Sequence, residues 1–514
     1  MKTILLFLLT AAALFAAPPQ PAPKLVLAIT VDQFRYDYLT RFRSEYKGGL
    51  HRLLTQGAVM VNANLEHYPT VTAIGHATFL SGATPAVSGI MGNDWYDRTT
   101  GKNVTSVSDE NVKVLGGTRG PASPHRLLVS TIGDEMKMSG RGTPRVIGVS
   151  LKDRSAILPV GRRADAAYWY DPSAGSFVTS TYYLSELPAW VKEFNERHLA
   201  HKYAGAEWAF DDRGNARSVL LSKEAGPGLF AAVYNSPFGN ELLEAFAEEV
   251  LRTEKLGQRD VTDLLSVSFS SNDAVGHVFG PDAPEVRDMS VRTDQVLGKF
   301  FDAVDKLVGL DKVLVIFTAD HGLSPLPETL AQTRMPGGRT TNASLFGPMS
   351  AALESRFGKG QWLLDTAGTS PYLNQELIRE KQLDPSEVER VAARALSSAP
   401  HVLRVYTREQ LLLGQVPPDR FSQRVVRSFN PQRSGDLEVL LEPYWIRSAK
   451  GTTHGTPYSY DAHVPLIFMG PGIKAARYYQ ETALNDVAPT LASILDVEIP
   501  SGSVGKVLHE ILQQ

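Results

Sequence analysis

The sequence of 514 residues contains no cysteine. This absence excludes disulfide bridges, thiolate metal ligands and a lipid anchor attached through cysteine. Any bound metal must therefore use His, Asp or Glu as ligands. The formal net charge is only -3, and the chain has no long run of charges of one sign. Proteins that bind nucleic acid usually carry a basic surplus or a basic stripe, so no specific binding of nucleic acid is expected.

Long apolar runs are also scarce, and the clearest one lies near the start of the chain. Lys2 precedes the apolar segment 4–17, and a Pro-rich segment follows it at 18–24. This pattern predicts a secretory signal peptide over residues 1–17 and a linker over 18–24, so we expect a periplasmic or secreted protein. An uncleaved anchor is the alternative, but a spanning helix needs about 20 apolar residues. No later segment has the pattern of a membrane span.

Short continuous apolar runs predict strands that are buried on both faces of a parallel sheet. These runs are Leu25–Val31, Val146–Ser150, Leu264–Phe269, Val313–Phe317 and Val464–Met469. Helical patterns lie between some of them, and the longest extends from Pro284 to Leu310 with one apolar face. Strands that alternate with helices predict an α/β fold with a doubly wound, mostly parallel central sheet.

Three segments depart from this alternation and are predicted to be lobes inserted into a catalytic domain of residues 25–514. They cover approximately 98–126, 162–217 and 326–452. Within the last segment we expect a helix capped by Asp384 and strands at His401–Tyr406 and Leu437–Leu441. The aromatic residues of the second segment fit either a lining of the cleft or an ordinary core.

Acidic and histidine side chains cluster where the predicted strands end or begin. The six residues are Asp32, Asp273, His277, Asp320, His321 and His454. Ligands of open α/β sheets bind at the carboxyl ends of the strands, so we expect these side chains to meet. Six such ligands suffice for two Zn²⁺ ions that each keep an open position, although Mn or Co fits the same ligand types. Each residue alone is more typical of a turn or helix cap, so the prediction depends on their joint occurrence.

Thr72 is a candidate nucleophile. It lies where a helix is predicted to begin, and the helix pattern extends to about Ser81. A helix start offers free backbone N–H groups and a partial positive charge, which suit a phosphate group. A threonine hydroxyl is a poor nucleophile unless a base or a metal lowers its pKa. A zinc ion held by Asp32, Asp320 and His321 would do so, whereas a plain helix cap is the alternative interpretation.

Three further polar residues are candidates for binding phosphoryl oxygens. The amide of Asn93 is a suitable donor, and Lys152 and Arg154 follow the predicted strand at Val146–Ser150. Two cations at one strand end can hold phosphoryl oxygens, and arginine does so with two parallel hydrogen bonds. The alternative for Lys152 and Arg154 is a solvated pair on the surface.

These motifs, in this order, resemble those of the alkaline phosphatase superfamily. The segments that carry the resemblance are Pro69–His76, Gly92–Asp97, Leu151–Arg154, Asp273–His277, Ala319–Gly322 and Thr452–Gly455. Within the superfamily, the chain is most similar to the phosphate-irrepressible, PafA-like alkaline phosphatases with a threonine nucleophile. The resemblance extends from the N-terminal segment to about Gly470 and implies an alkaline-phosphatase-like fold.

The resemblance also implies a hydrolase that uses two zinc ions and acts on small-molecule phosphate monoesters. One ion would be bound by Asp273, His277 and His454. The other would be bound by Asp32, Asp320 and His321 and would contact Thr72. Thr72 would attack phosphorus and form a phosphothreonine, which water then hydrolyses.

The remaining site residues take their roles from the same resemblance. Asn93, Lys152 and Arg154 would bind phosphoryl oxygens. His76, Asp461 and His463 would orient the metal ligands, although a structural role fits them equally well. The sequence indicates neither the natural ester nor an oligomeric state.

Two other functions remain as alternatives. A nucleotide pyrophosphatase/phosphodiesterase of the same superfamily has a similar pattern of threonine and zinc ligands. A diester carries one charge fewer at phosphorus, so the pair Lys152 and Arg154 fits a monoester better. A catalytically silent protein that binds zinc or phosphate is the second alternative, but Thr72 and all six ligands are present. An arylsulfatase fits the sequence less well, because that resemblance requires a Cys/Ser-x-Pro-x-Arg motif, and the chain has no cysteine and no Arg after Ser398-Ala-Pro-His.

Overall fold

The computed structural model describes residues 22–140, 143–212 and 214–513. The predicted signal peptide, residues 1–17, lies outside this part, as does most of the predicted linker at 18–24. Within the described ranges, no helix combines the length and the apolar composition that crossing a membrane requires.

The described residues form strands and helices that alternate along much of the chain. The strands are β1 Leu25–Val31, β2 Ala58–Asn64, β3 Asp94–Asp97, β4 Lys102–Thr105, β5 Val114–Leu115, β6 Val146–Ser150, β7 Ala166–Asp171, β8 Ser176–Ser180, β9 Glu207–Asp212, β10 Asn215–Leu220, β11 Asp263–Phe269, β12 Val313–Thr318, β13 Gly338–Arg339, β14 Leu363–Ala367, β15 Ser370–Leu373, β16 Val402–Thr407, β17 Leu437–Leu441, β18 Trp445–Ile446, β19 Leu466–Met469 and β20 Ala476–Ala483. The helices are α1 Tyr38–Arg41, α2 Gly49–Gln56, α3 Thr72–Ser81, α4 Pro85–Ser88, α5 Ile132–Met138, α6 Asp153–Ile157, α7 Ala189–Glu196, α8 Pro227–Tyr234, α9 Pro237–Thr253, α10 Ser271–Phe279, α11 Pro284–Leu307, α12 Pro327–Gln332, α13 Asn342–Phe357, α14 Gln375–Glu380, α15 Pro385–Ser397, α16 Arg408–Leu412, α17 Arg420–Ser428, α18 Ser459–Ala462 and α19 Val487–Leu495.

A large central sheet organises the molecule. Its 10 strands lie in the order β20-β2-β19-β12-β1-β11-β6-β7-β8-β5. All of them run in one direction except β8 and β19, which pair antiparallel with their neighbours. The central strands β1, β6, β11 and β12 are buried along their whole length, as expected for a sheet covered on both faces. The predicted α/β fold with a mostly parallel central sheet is therefore confirmed.

The bounds of the central strands follow the apolar runs closely, but the direction of the last one does not follow from its sequence. β19 begins at Leu466 rather than Val464 and runs antiparallel to β12. Because β19 runs opposite to β2 and β12, the residues before β19 lie at the same edge of the sheet as the residues that follow those two strands. This direction explains how His454, which comes before β19, reaches the carboxyl ends of β1, β11 and β12.

The segment 326–452 packs partly on itself. Its core is formed by buried apolar side chains such as Leu345, Met349, Trp362 and Val388. The helix after Asp384 is present, and β16 and β17 pair antiparallel at the predicted positions. In the other two predicted insertions, β5, β7 and β8 join the central sheet. The division into a core and three inserted lobes stays a prediction.

Candidate active site

The six predicted metal ligands meet at one edge of the central sheet. Ligand atoms of Asp273, His277 and His454 lie within 4.8 Å of one another, and so do those of Asp32, Asp273 and His321. Asp320 adjoins the second group, because its Oδ2 lies 3.4 Å from Nε2 of His321. Asp273 thus lies between the two groups rather than in one alone. The strand ends bring the six side chains together as their positions in the sequence suggested.

The three imidazoles are oriented by backbone carbonyl groups. Nδ1 of His277, His321 and His454 lies 2.8, 3.0 and 2.8 Å from the carbonyl oxygens of Thr452, Gly322 and Thr70. A carbonyl oxygen can only accept, so each Nδ1 carries the hydrogen and donates it. Each Nε2 is then left with its lone pair, the form of histidine that binds a metal.

Two carboxylate oxygens near Thr72 lack partners. Oδ1 of Asp32 and Oδ2 of Asp320 are buried and accept no hydrogen bond from any described residue. Both lie 3.4 Å from Nε2 of His321, and the hydroxyl of Thr72 lies 3.3 Å from the same nitrogen. Buried charged oxygens without partners are costly, so this arrangement fits a bound cation. The structure therefore has a donor set suited to a metal ion directly beside the Thr72 hydroxyl.

The charge balance of the site leads to the same conclusion. Burial and the neighbouring Asp320 raise the pKa of Asp32 well above its ordinary value. Burial and the neighbouring imidazoles of His321 and His277 lower the pKa of His454, which favours its neutral form. Lys152 and the neighbouring imidazoles outweigh burial and lower the pKa of Asp273 and Asp320, so Asp32 is the carboxylate that is short of positive charge. The low pKa of His454 leaves its imidazole neutral and able to bind a metal. A divalent cation would supply the charge that Asp32 lacks, so the residues present fit a metal centre.

The ammonium group of Lys152 contacts two carboxylates, which differs from its predicted contact with phosphoryl oxygens. Its Nζ lies 2.6 Å from Oδ2 of Asp32 and 2.6 Å from Oδ2 of Asp273. Burial lowers the pKa of the Lys152 amine, but the two carboxylates outweigh burial and raise it above its ordinary value. The ammonium thus bridges two of the candidate metal ligands, whereas the sequence analysis expected it to bind phosphoryl oxygens. The alternative interpretation of Lys152 as a solvated surface residue is wrong, because Lys152 is buried.

Helix α3 presents Thr72 to the metal ligands. Val71 is the N-cap, and Thr72 is the first residue of the helix, so the interpretation of Thr72 as a plain cap is wrong. Gly75 lets the helix approach the neighbouring loop, because a Cβ at this position would lie 2.3 Å from the backbone oxygen of Asp320. The helix ends at Ser81, as predicted, and Gly82 then takes a left-handed conformation with φ of 67°.

Asn93 and Arg154 flank the site on different sides. Oδ1 of Asn93 accepts the N–H of Ala73 at 3.0 Å, which fixes this amide at the start of α3. Asn93 lines a cavity of about 260 Å³ together with His454. Arg154 and Lys152 line another cavity, of about 610 Å³. Burial lowers the pKa of Arg154, but nearby acidic groups, Asp153 first, outweigh it and keep the guanidinium charged.

Gln33 is part of the site, although the sequence analysis did not identify it. Its backbone N–H donates to Oδ1 of Asp320 at 3.1 Å, and its Nε2 donates to Oδ1 of Asp273 at 2.6 Å. Its φ of 62° is unusual for a residue other than glycine and indicates local strain. The available signal was its position directly after Asp32 at the end of β1. Gln33 therefore links carboxylates from both candidate metal groups.

Asp461 supports His454 through a chain of hydrogen bonds. Its Oδ2 accepts from the N–H and the hydroxyl of Thr456 at 2.8 and 2.7 Å. The Thr70 hydroxyl donates to the carbonyl of Thr456 at 2.8 Å, and the carbonyl of Thr70 accepts from His454. Burial raises the pKa of Asp461 to about 7. The contacts are those of a residue that orients a ligand.

The other two residues expected to orient ligands differ from each other. Nδ1 of His76 lies 2.9 Å from the carbonyl of Thr72 and 3.4 Å from Oδ2 of Asp320, so His76 adjoins the site. Nε2 of His463 donates to the carbonyl of Val61, and its ring stacks on Tyr36. The contacts of His463 are thus with the sheet and a neighbouring ring rather than with a candidate ligand.

The arrangement of a buried threonine, carboxylates and imidazoles has counterparts in known proteins. A family model described as type I phosphodiesterase / nucleotide pyrophosphatase matches residues 26–463. The chain belongs to this family. The match spans β1 to the loop before β19 and so contains every candidate site residue.

Two curated relatives and a solved structure define the likeness further. Alkaline phosphatase PafA of Elizabethkingia meningoseptica is 36% identical, with 96% of this chain and 95% of that protein covered. Alkaline phosphatase PhoV of Synechococcus elongatus is 35% identical, with 96% and 93% covered. The crystal structure of wild-type PafA matches with a TM-score of 0.89 and 35% identity, covering 96% of this chain and 99% of that one. The predicted resemblance to PafA-like alkaline phosphatases, the predicted fold and the predicted enzyme class are confirmed.

Proposed function

We propose that this chain is an exported, zinc-dependent phosphomonoesterase that hydrolyses phosphate monoesters through a phosphothreonine at Thr72. One observation carries the proposal. The Thr72 hydroxyl lies 3.3 Å from Nε2 of His321, and the same nitrogen faces the unpartnered oxygens of Asp32 and Asp320. A cation held by those atoms would adjoin the hydroxyl, which is the condition for a reactive threonine.

In this proposal the candidate ligands hold two zinc ions. Asp273, His277 and His454 would bind one ion, and Asp32, Asp320 and His321 would bind the other. When bound, the ions supply positive charge that lowers the pKa of nearby hydroxyl groups and balances the charge of the phosphoryl group. The three carbonyl-oriented imidazoles support this assignment, because their Nε2 atoms are free to act as ligands.

The chain's own residues then carry out two displacements at phosphorus. Thr72 loses its proton to solvent and attacks, its Oγ1–P bond forms, and the P–O bond to the alcohol breaks as the departing oxygen takes up a proton from solvent. Water then attacks the phosphothreonine, inorganic phosphate leaves, and the Thr72 hydroxyl is restored. The start of α3 contributes backbone N–H groups beside the transferring phosphoryl group.

Asn93, Lys152 and Arg154 bind the phosphoryl oxygens in this proposal. Asn93 is held at the start of α3 by its bond to Ala73, and Arg154 is partly buried, so its electrostatic interactions are less screened than those of a fully exposed arginine. For Lys152, the role requires that its ammonium move from Asp32 and Asp273 to the substrate when metal ions neutralise those carboxylates.

A comparison of two esters tests the proposed reaction. We expect the zinc-loaded enzyme to have a higher kcat/KM for p-nitrophenyl phosphate than for bis-p-nitrophenyl phosphate, because the cationic site complements a dianion. Removal of metal with a chelator should abolish both activities, and zinc should restore them. A preference for the diester would instead favour the nucleotide phosphodiesterase, and binding of zinc without turnover of either ester would favour a silent binding protein.

Export and the division into lobes are also part of the proposal. The apolar segment 4–17 supports a signal peptide that directs the protein to the periplasm or beyond. N-terminal sequencing of the protein recovered from periplasm and medium should give a mature chain that lacks residues 1–17. Recovery of the full-length chain in the membrane fraction would instead indicate an uncleaved anchor.

A further inference from the structure

A cavity of about 260 Å³ opens beside the candidate site and extends toward the segment 326–452. Asn93 and His454 belong to its lining, so the cavity shares a wall with the site. His454 is assigned to the ion that does not adjoin Thr72. A group that leaves phosphorus on the side opposite Thr72 would therefore depart toward this cavity.

Two carboxylates line this cavity, and Glu438 of β17 is the buried one, whereas Asp94 is exposed to solvent. Glu438 is 9% exposed, and its side chain accepts one hydrogen bond, from the Ser370 hydroxyl, among the described residues. The titratable groups near it are the phenols of Tyr68 and Tyr372, which burial keeps neutral and which supply no cation. Within the described ranges, no Lys, Arg or His forms an ion pair with Glu438. A buried carboxylate without a cation is costly, so a ligand that supplies one would be favoured.

The rest of the cavity lining is largely apolar. Tyr68, Leu440, Leu441 and Ile446 contribute rings and aliphatic groups. Arg447 also lines the cavity, but its guanidinium donates to Oδ1 of Asn342, and it forms no ion pair with Glu438. The cavity thus combines an apolar surface with one buried carboxylate, Glu438, whereas its second carboxylate, Asp94, is exposed to solvent. This combination suits a hydrocarbon chain that ends in a hydrogen-bond donor.

We propose that this cavity binds the alcohol part of the ester and that Glu438 selects alcohols that carry a protonated amine. The inference rests on the proposed function, since it names the substrate class of the same site. The methylene groups of an aminoalkyl phosphate would lie along the apolar lining, and its ammonium group would contact the Glu438 carboxylate in a charge-assisted hydrogen bond. Burial raises the pKa of Glu438 to about 7, which is consistent with a carboxylate that still needs a cation.

A series of matched esters tests the proposal. The substrates are ω-aminoalkyl phosphates with two to six carbons and n-alkyl phosphates of equal length, assayed with the zinc-loaded enzyme. We expect the ratio of kcat/KM between amine and alkyl ester to reach ~10 at one chain length, as a charge-assisted bond allows. In Glu438→Gln, which keeps the shape and removes the charge, the ratio at that length should fall to about one.

Glu389→Gln is the matched control. Glu389 is another buried carboxylate of the segment 326–452, and burial raises its pKa to about 7, but it does not line the cavity. We expect this variant to keep the wild-type ratio. An equal loss of the ratio in Glu389→Gln and Glu438→Gln would overturn the assignment of Glu438. Thermal melting of both variants checks that each is folded, and Ser370→Ala, which retains the carboxylate, should keep a preference for the amine.

The remaining outcomes are also decisive. A wild-type ratio near one at every chain length would contradict the inference while leaving the proposed function intact. Preference for ω-hydroxyalkyl phosphates would assign the cavity to neutral alcohols, and preference for ω-carboxyalkyl phosphates would assign it to Arg447; either overturns the role of Glu438. Failure to hydrolyse any of these esters would refute the proposed function itself.

Discussion

The two candidate metal groups differ in how completely the protein surrounds them. Asp32, Asp320 and His321 are buried, and two of their carboxylate oxygens accept no hydrogen bond within the part of the chain that the structure describes. In the other group, the side chain of His277 is 35% exposed, that of His454 is 7% exposed, and Asp273 accepts hydrogen bonds from Gln33 and Lys152. We call these the inner group and the outer group.

The difference between the groups matches the roles proposed for them. The inner group adjoins Thr72. A permanently bound ion there would keep the Thr72 hydroxyl reactive, and burial keeps that hydroxyl away from water. The outer group adjoins the cavity through His454, where alcohol must leave and water must enter. A closed site holds its ion through buried charge, whereas an open one allows exchange of reacting groups. The four predictions below test this contrast.

The largest effect is expected at the nucleophile. Thr72→Ala should lower kcat by roughly 10⁴-fold, because no other described hydroxyl is assigned to attack at phosphorus. Zinc content should remain close to the wild-type value, since the six ligands are unchanged. Thr72→Ser provides the control and should retain substantial activity. Steady-state kinetics with p-nitrophenyl phosphate and elemental analysis measure both quantities, and a fully active Thr72→Ala enzyme would remove Thr72 from the mechanism.

A pair of ligand variants compares the two groups directly. His321→Ala should lower kcat/KM by roughly 10³-fold, as expected when electrostatic stabilisation is removed from a buried site. His277→Ala should have a smaller effect and should be partly restored by excess zinc, because His277 is half-buried and accessible. Zinc titration of both purified variants measures the affinities. Equal losses with equal rescue would show that the inner and outer groups do not differ.

Arg154→Ala should have a smaller effect than either ligand variant. Loss of a charge-assisted hydrogen bond to the phosphoryl group should reduce kcat/KM about 10–100-fold for the monoester. The loss should be smaller for the diester, which carries less charge at phosphorus. Arg154→Lys is the control, and it should recover part of the monoester rate because it keeps the charge but not the planar donor pair. An identical loss on both esters would contradict a role that depends on charge.

The smallest effect is a difference in the pH at which the two groups release metal. Burial lowers the pKa of His277, but Asp273 outweighs burial and raises it above the ordinary value, whereas burial lowers the pKa of His321. Protons compete with metal at each imidazole, so the histidine with the higher pKa is protonated first as pH falls. Since His277 is protonated first, although the pKa of its neighbour His454 is lowered, the outer group should lose its ion at a higher pH than the inner group. Metal content after dialysis at successively lower pH should fall in two steps, and a single step would contradict the order.

The parts of the site that sequence could predict are those fixed by local chain position. Asp32, Asp273 and Asp320 follow strands whose apolar runs are unmistakable, and strand ends of a parallel sheet meet at one edge. Helix α3 begins and ends where its sequence pattern indicated. These features depend on short segments, so composition and periodicity were sufficient to find them.

Features that depend on long-range pairing were not predictable. The antiparallel direction of β19 follows from its place between β2 and β12, which no local pattern records. Gln33 has no distinctive motif, and its contacts arise because β11 and β12 lie on either side of β1. Glu438 became notable only when folding placed β17 beside a cavity lined by Asn93 and His454.

The central claim is that two metal ions lie beside the hydroxyl of Thr72, and anomalous diffraction from a zinc-loaded crystal tests it most directly. We predict two zinc peaks about 3.5–4 Å apart. One peak should lie among Asp32, Asp320, His321 and Thr72, and the other among Asp273, His277 and His454. A single peak, or peaks away from these side chains, would contradict the account.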